Sequence, residues 1–135
     1  MSAFSFSNLV DSLGPGIFMT GENSFDLFFQ EDDVVSTTYL ARDGKRVVTD
    51  LIVADISGMR AINRKALLNH VVLVNNLMTR HGDFRLGIDF RKLLILTGEF
   101  NVCHFTDNAF PRFLMNWVAQ VKALRKVVNA FMRRS

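Results

Sequence analysis

From Phe110 onward an apolar residue recurs every three or four positions: Phe110, Phe113, Leu114, Trp117, Val118, Val121, Leu124, Val128 and Phe131. A period near 3.6 places these on one broad face of a long helix. Pro111 lacks an N–H and is tolerated only in a first turn, so the helix must begin near Asn108, where Thr106, Asp107 and Asn108 all offer N-caps. The opposite side carries Arg112, Asn116, Lys122, Lys126, Arg133 and Arg134, with Arg125 at the boundary. An apolar face of this length needs an equally long counterpart, and the segments before it read largely as strands.

Phe6, Leu9, Val10 and Leu13 line one face of a short first helix that Gly14, Pro15 and Gly16 stop. After a turn around Gly21 and Asn23, Phe25, Leu27 and Phe29 alternate with Asp26 and Phe28, so Phe28 lies on the other face of that strand. Val34 to Leu40 suits a pleated surface and runs into Asp43-Gly44, a dipeptide fit for a tight hairpin turn. Arg46 to Ile56 returns as a long, loosely alternating strand, expected to be central.

Helical spacing resumes from Asn63, a candidate N-cap, to His81, with Gly82 as the stop. Its apolar positions, Leu67, Leu68, Val71, Val72, Val74, Leu77 and Met78, form an arc too wide for contact with one sheet, which implies burial by a second element or subunit. A strand over HVVLVNN is the competing assignment. Phe84, Leu86, Ile88 and Phe90 alternate with Arg85, Gly87 and Asp89, and Leu93 to Thr97 pairs back through a turn at Arg91 and Lys92, with Gly98 marking a bulge or a close backbone approach. The expected fold is a single α+β domain over residues 1–135, in the order α-β-β-β-α-β-β-α, with an antiparallel twisted sheet packed by helices.

At 135 residues and 49% hydrophobic, the chain can build one real core, and a surplus apolar face would be covered by a partner. No run approaches a membrane span, and the N-terminus lacks the pattern of a signal peptide, so a cytoplasmic location is expected. A lone cysteine, Cys103, agrees with a reducing compartment. Charge is unevenly spread: Asp11, Glu22, Asp26, Glu31, Asp32 and Asp33 stand before residue 42 with no Lys or Arg, while all sixteen basic residues follow. Such a split can steer a partner, orient two copies of the chain, or simply solvate two faces.

The residues do not converge on a reaction. His70, His81 and His104 have no partner at ligand spacing, so no metal or cofactor is expected. Cys103 and His104, adjacent on a strand, would point to opposite faces, which leaves Cys103 a free, partly buried thiol. Gly-rich phosphate loops, nucleophile elbows and paired carboxylates are absent from the sequence, which points to a binding protein rather than an enzyme. The basic last helix could meet nucleic acid, but its aromatic residues lie on the apolar face and are not interleaved with the charges as stacking platforms, which makes nucleic acid the lesser reading.

Three stretches carry a family likeness: the helix FSNLVDSLG, the passage LLNHVVLVNNLMTRHGDFRLGIDFRKLLILTGEF, and the long closing helix. With Leu67-Leu68, Asn75 or Asn76, Gly82 and the alternating Leu86-Gly87-Ile88-Asp89, the chain resembles the class I chaperones of type III secretion, the Tir-chaperone family. That resemblance implies a homodimer that holds an extended segment of a secreted effector without ATP hydrolysis, on apolar patches of the first helix and early strands. Candidate contact residues are Leu9, Val10, Leu13, Phe25, Leu27, Phe28 and Phe29, each of which could equally be ordinary core. The candidate dimer interface combines Val71, Val74, Leu77 and Met78 of the wide arc with Phe84 and Leu86 on the adjoining strand. TGEF ahead of a threonine-capped helix is also similar to YbjN-like proteins, which implies a regulatory or general protein-interaction role instead.

Overall fold

The computed structural model describes residues 4–13, 16–78, 84–104, 106 and 109–133, with side chains except those of 74–78. Helix α1 (Phe6–Leu13) leads into strands β1 (Ile17–Gly21), β2 (Ser24–Phe29), β3 (Val34–Leu40) and β4 (Arg46–Asp55). Helix α2 (Ala61–Met78), strands β5 (Phe84–Ile88) and β6 (Leu93–Asn101), a short 3₁₀ turn (Val102–His104) and helix α3 (Ala109–Arg133) complete the chain. All neighbouring strands are antiparallel, in the order β1-β2-β3-β4-β6-β5. The α+β class and the two long helices are as the sequence implies, and β4 is central.

One strand is additional. β1, IFMTG, is short and mostly solvent-facing, so it shows none of the alternation that marks a half-buried strand. Other differences concern ends. Asn63 is not an N-cap: α2 already begins at Ala61, the Arg64 N–H donates to the Arg60 carbonyl at 2.9 Å, and Asn63 is buried within the first turn. β5 ends at Ile88, because the Asp89 carboxylate takes the N–H groups of Arg91 and Leu93 at 2.9 and 3.0 Å and forms the turn, leaving Phe90 at its corner, 93% exposed. β6 runs on to Asn101, so Cys103 and His104 lie on the 3₁₀ turn beyond it and the thiol is exposed, not partly buried. His81 and Gly82 lie outside the described residues.

Between β3 and β4 the turn is longer than a two-residue hairpin. The Gly44 N–H closes onto the Ala41 carbonyl at 2.9 Å, and Gly44 adopts φ +69°, the left-handed conformation that suits glycine.

All three helices cover one face of the sheet. Phe25, Val47, Leu51, Leu94, Leu96 and Phe100 point from the strands into a core shared with Phe6 and Leu9 of α1, Leu67 and Val71 of α2, and the apolar stripe of α3. Eight residues make a marginal helix in water, so α1 depends on that burial and on its cap at Ser5, whose carbonyl receives the Leu9 N–H at 3.1 Å.

α3 can lie close to the sheet because Gly98 has no side chain. A β-carbon there would run into the Trp117 indole, at 2.6 Å from two of its ring carbons, so the glycine marks a close approach and not a bulge. The ladder between β4 and β6 shifts register instead between Ile52 and Ala54. Around Trp117, Phe113 packs tilted at 5.9 Å and Phe110 edge-to-face at 6.2 Å between centroids, and Phe100 meets Phe113 and Phe110 edge-to-face at 5.2 and 5.7 Å.

Arg125 makes the second fastening. Its guanidinium donates to the carbonyls of Val53 (2.8 Å), Asp32 (2.8 Å) and Asp33 (2.7 Å), tying α3 to the register shift in β4 and to the turn between β2 and β3. Asp33, at φ 53°, holds that turn in a conformation where its carbonyl reaches the arginine.

Gly98→Ala is expected to destabilise the fold by about 1–3 kcal/mol through overpacking against Trp117. Gly87→Ala, where a β-carbon meets nothing within 4 Å, should stay within about 0.5 kcal/mol of wild type. Urea unfolding followed by the single tryptophan distinguishes the two.

Candidate functional site

With every helix on one face, the other face of the sheet is open. Strand alternation sends Phe18, Asp26, Phe28, Val35, Thr37, Tyr39, Asp50, Ile52, Ile95, Thr97 and Glu99 toward it, and the pairing register arranges them in cross-strand rows. At the β1 end the face is apolar: Phe18 is 72% exposed and Phe28 54%, with Val35 directly across from Phe28. Toward β5 it becomes polar. Glu99 bridges Arg46 (3.3 Å) and Arg85 (3.5 Å), and the Thr97 hydroxyl donates to Asp50 at 2.8 Å. Burial pushes the Tyr39 phenol up, and the Asp50 carboxylate adds to the shift.

β1 is an edge strand, hydrogen-bonded to β2 on one side only among the described residues. A free edge flanked by exposed aromatic rings is a place where another chain can add a strand. Beneath the same edge a cleft opens between α1 and the β1–β2 hairpin, lined by Ser5, Phe6, Ser7, Val10, Met19, Glu22 and Asn23. Its apolar walls are Phe6, Val10 and Met19. An added strand would thus find Phe18 on one face and the cleft on the other.

The residues that the family likeness marked for partner contact divide between interior and surface. Leu9 and Phe25 have no exposed surface, because α1 lies directly over β2 with Phe6 and Phe25 at 5.7 Å between centroids. Val10, Leu13, Leu27 and Phe29 are partly buried against the core, and only Phe28 stands free on the open face. The sequence reading missed Phe18, Met19 and Val35. No alternation marks them, because Ile17, Phe18 and Met19 are three apolar residues in a row on a mostly solvent-facing strand.

On α2 the wide arc is real, and much of it is uncovered. Leu67 and Val71 enter the core, whereas Ile62, Leu68, Val72 and Leu73 are exposed, with Leu73 at 63%. Of the proposed dimer residues, Val71 and Leu86 are buried within the chain itself and Phe84 is partly buried. The side chains of Val74, Leu77 and Met78 lie outside the described set.

Among the described residues no group of three or more His, Cys, Asp or Glu is placed to hold a metal ion. His70 packs beside Phe131, at 6.1 Å between ring centroids, and His104 is exposed. Part of the charge on α3 is engaged within the chain: Lys122 meets Asp32 at 3.0 Å, and Arg125 binds main-chain carbonyls. No helix is long and apolar enough to cross a membrane, among the described residues.

No protein-family model matches the chain, and no curated protein does. Solved structures do. The fold is similar to a chain of the ExsC–ExsE complex, with a TM-score of 0.72 at 18% identity over 90% of this chain and 88% of that one. It is also similar to the Yersinia pestis type III secretion chaperone SycH in complex with a stable fragment of YscM2, with a TM-score of 0.63 at 14% identity over 89% and 99%. The HopA1–SchA chaperone–effector complex gives a TM-score of 0.63 at 13% identity over 91% and 98%. At these identities the likeness is one of fold, and the fold is that of the type III secretion chaperones.

Proposed function

We propose that the chain is a non-enzymatic chaperone, a cytoplasmic homodimer that binds an extended segment of a secreted effector and keeps it competent for secretion. The observation that carries this reading is the β1 edge, with Phe18 and Phe28 exposed on one side and the Val10–Met19 cleft on the other. Main-chain hydrogen bonds along such an edge supply affinity, while pockets on its two faces select alternate side chains. The fold likeness to a type III secretion chaperone in complex with a fragment of YscM2, and to a chain of a chaperone–effector complex, supports the same use.

We place client contact on Val10, Phe18, Met19, Phe28 and Val35. Leu9, Phe25, Leu27 and Phe29 then act from behind, by holding α1 and β2 in position. The exposed apolar residues of α2 suit a second copy of the chain, with β5 alongside.

Nucleic acid remains the contrasting reading, and the two rank mutations oppositely. Phe28→Glu is expected to weaken binding of the copurified client at least tenfold, about 1.4 kcal/mol, while Lys122→Ala and Lys126→Ala together should change it less. Circular dichroism establishes that each variant is folded. A dominant lysine pair, with binding abolished as salt rises to physiological strength, would contradict the chaperone reading.

For the dimer, light scattering should give twice the chain mass at micromolar concentration. Val72→Asp should shift it to monomer, because an unpaired carboxylate in an apolar interface is costly. A monodisperse wild-type monomer would remove the dimer from the proposal.

A further inference from the structure

We propose that Asp26 sets the charge class of the client: the segment added at the β1 edge carries a lysine or arginine opposite Phe18, and that cation pairs with the Asp26 carboxylate. The inference rests on the effector-binding reading above and adds a specificity-determining residue to it.

Asp26 sits on the open face of β2 between Phe18 of β1 and Thr37 of β3, its cross-strand neighbours. Its Oδ1 is shielded from solvent and has no hydrogen-bond partner among the described residues. An ionised oxygen shielded this way is costly unless a donor reaches it. Among the described residues no Lys or Arg forms an ion pair with Asp26. Residues 1–41 contain neither Lys nor Arg, and the two arginines on the open face, Arg46 and Arg85, both engage Glu99 toward the far end of the sheet. The surroundings are instead aromatic, with Phe18 and Phe28 exposed on neighbouring positions of the same face.

Register defines from which position of an added strand a cation would reach Asp26. A strand added to β1 places one residue directly opposite Phe18, in the same cross-strand row as Asp26. That residue is two strand spacings from Asp26, about 10 Å. Short side chains end over Phe18. A lysine or arginine can lay its apolar stem across the ring and bring its charged head to the carboxylate, with the aromatic face favouring the cation on the way. The apolar rings and the unpaired acid therefore select one chemistry together: a basic residue within an otherwise apolar, extended segment.

The test pans phage-displayed random dodecapeptides against the full chain and against its Asp26→Asn variant. Wild type should enrich a single Lys or Arg among alternating apolar residues. A selected peptide should bind Asp26→Asn at least tenfold more weakly, and replacing its basic residue by norleucine should weaken wild-type binding to the same extent but leave Asp26→Asn binding unchanged. Thermal melting of Asp26→Asn should be equal to or above wild type, since the neutral amide removes an unpaired charge; a purely structural aspartate would lower it. Peptides without a basic preference, or equal affinity for both proteins, would overturn the inference while leaving the effector-binding reading intact. Failure to select any peptide whose binding Phe28→Glu abolishes would overturn that reading and this inference with it. A change of oligomeric state in Asp26→Asn would assign the face to a second copy and likewise overturn it.

Discussion

The seating of Trp117 over Gly98 is the contact on which the rest of the architecture depends. It lets α3 lie against β4 and β6 at close range, and the ring cluster of Phe100, Phe110 and Phe113 closes around it. With α3 so placed, α1 and α2 fill the same side, and the core is complete on one face of the sheet. Among the described residues the opposite face carries no helix. An open face and a free β1 edge are thus consequences of where the core is, and they are the features that a binding role requires.

Charge serves this arrangement more than it serves a basic surface. Lys122 meets the acidic turn at Asp32, and Arg125 threads to the carbonyls of Asp32, Asp33 and Val53. The separation of acid and base along the sequence is therefore joined, in part, inside one chain. Planar guanidinium geometry explains why arginine holds that position, since its several donors can reach carbonyls on two segments at once. Asp26 is the acidic residue of this half whose shielded oxygen has no such partner among the described residues.

Most elements were legible because periodicity reports which residues share a face. Phe110 to Phe131 and the alternation at Phe25, Leu27 and Phe29 gave α3 and β2 correctly, including the outward position of Phe28. Periodicity does not report what covers a face. Leu9 and Phe25 lie on the same kind of apolar stripe as a binding patch, and only the packing of α1 on β2 makes them interior. β1 escaped because an edge strand exposed on nearly every residue has no buried set to alternate with. Phe90 extended the alternation of β5 by chance, whereas Asp89 ends the strand through its own hydrogen bonds.

The central claim is that a client segment joins the sheet at β1. Hydrogen exchange on the protein copurified with its client from native cells tests it most directly, because exchange of main-chain amides reads strand addition itself and not merely proximity. The account predicts marked slowing at Ile17–Gly21 relative to the free protein, with smaller changes along β2. Slowing confined to the basic side of α3, with β1 amides exchanging as in the free chain, would contradict it.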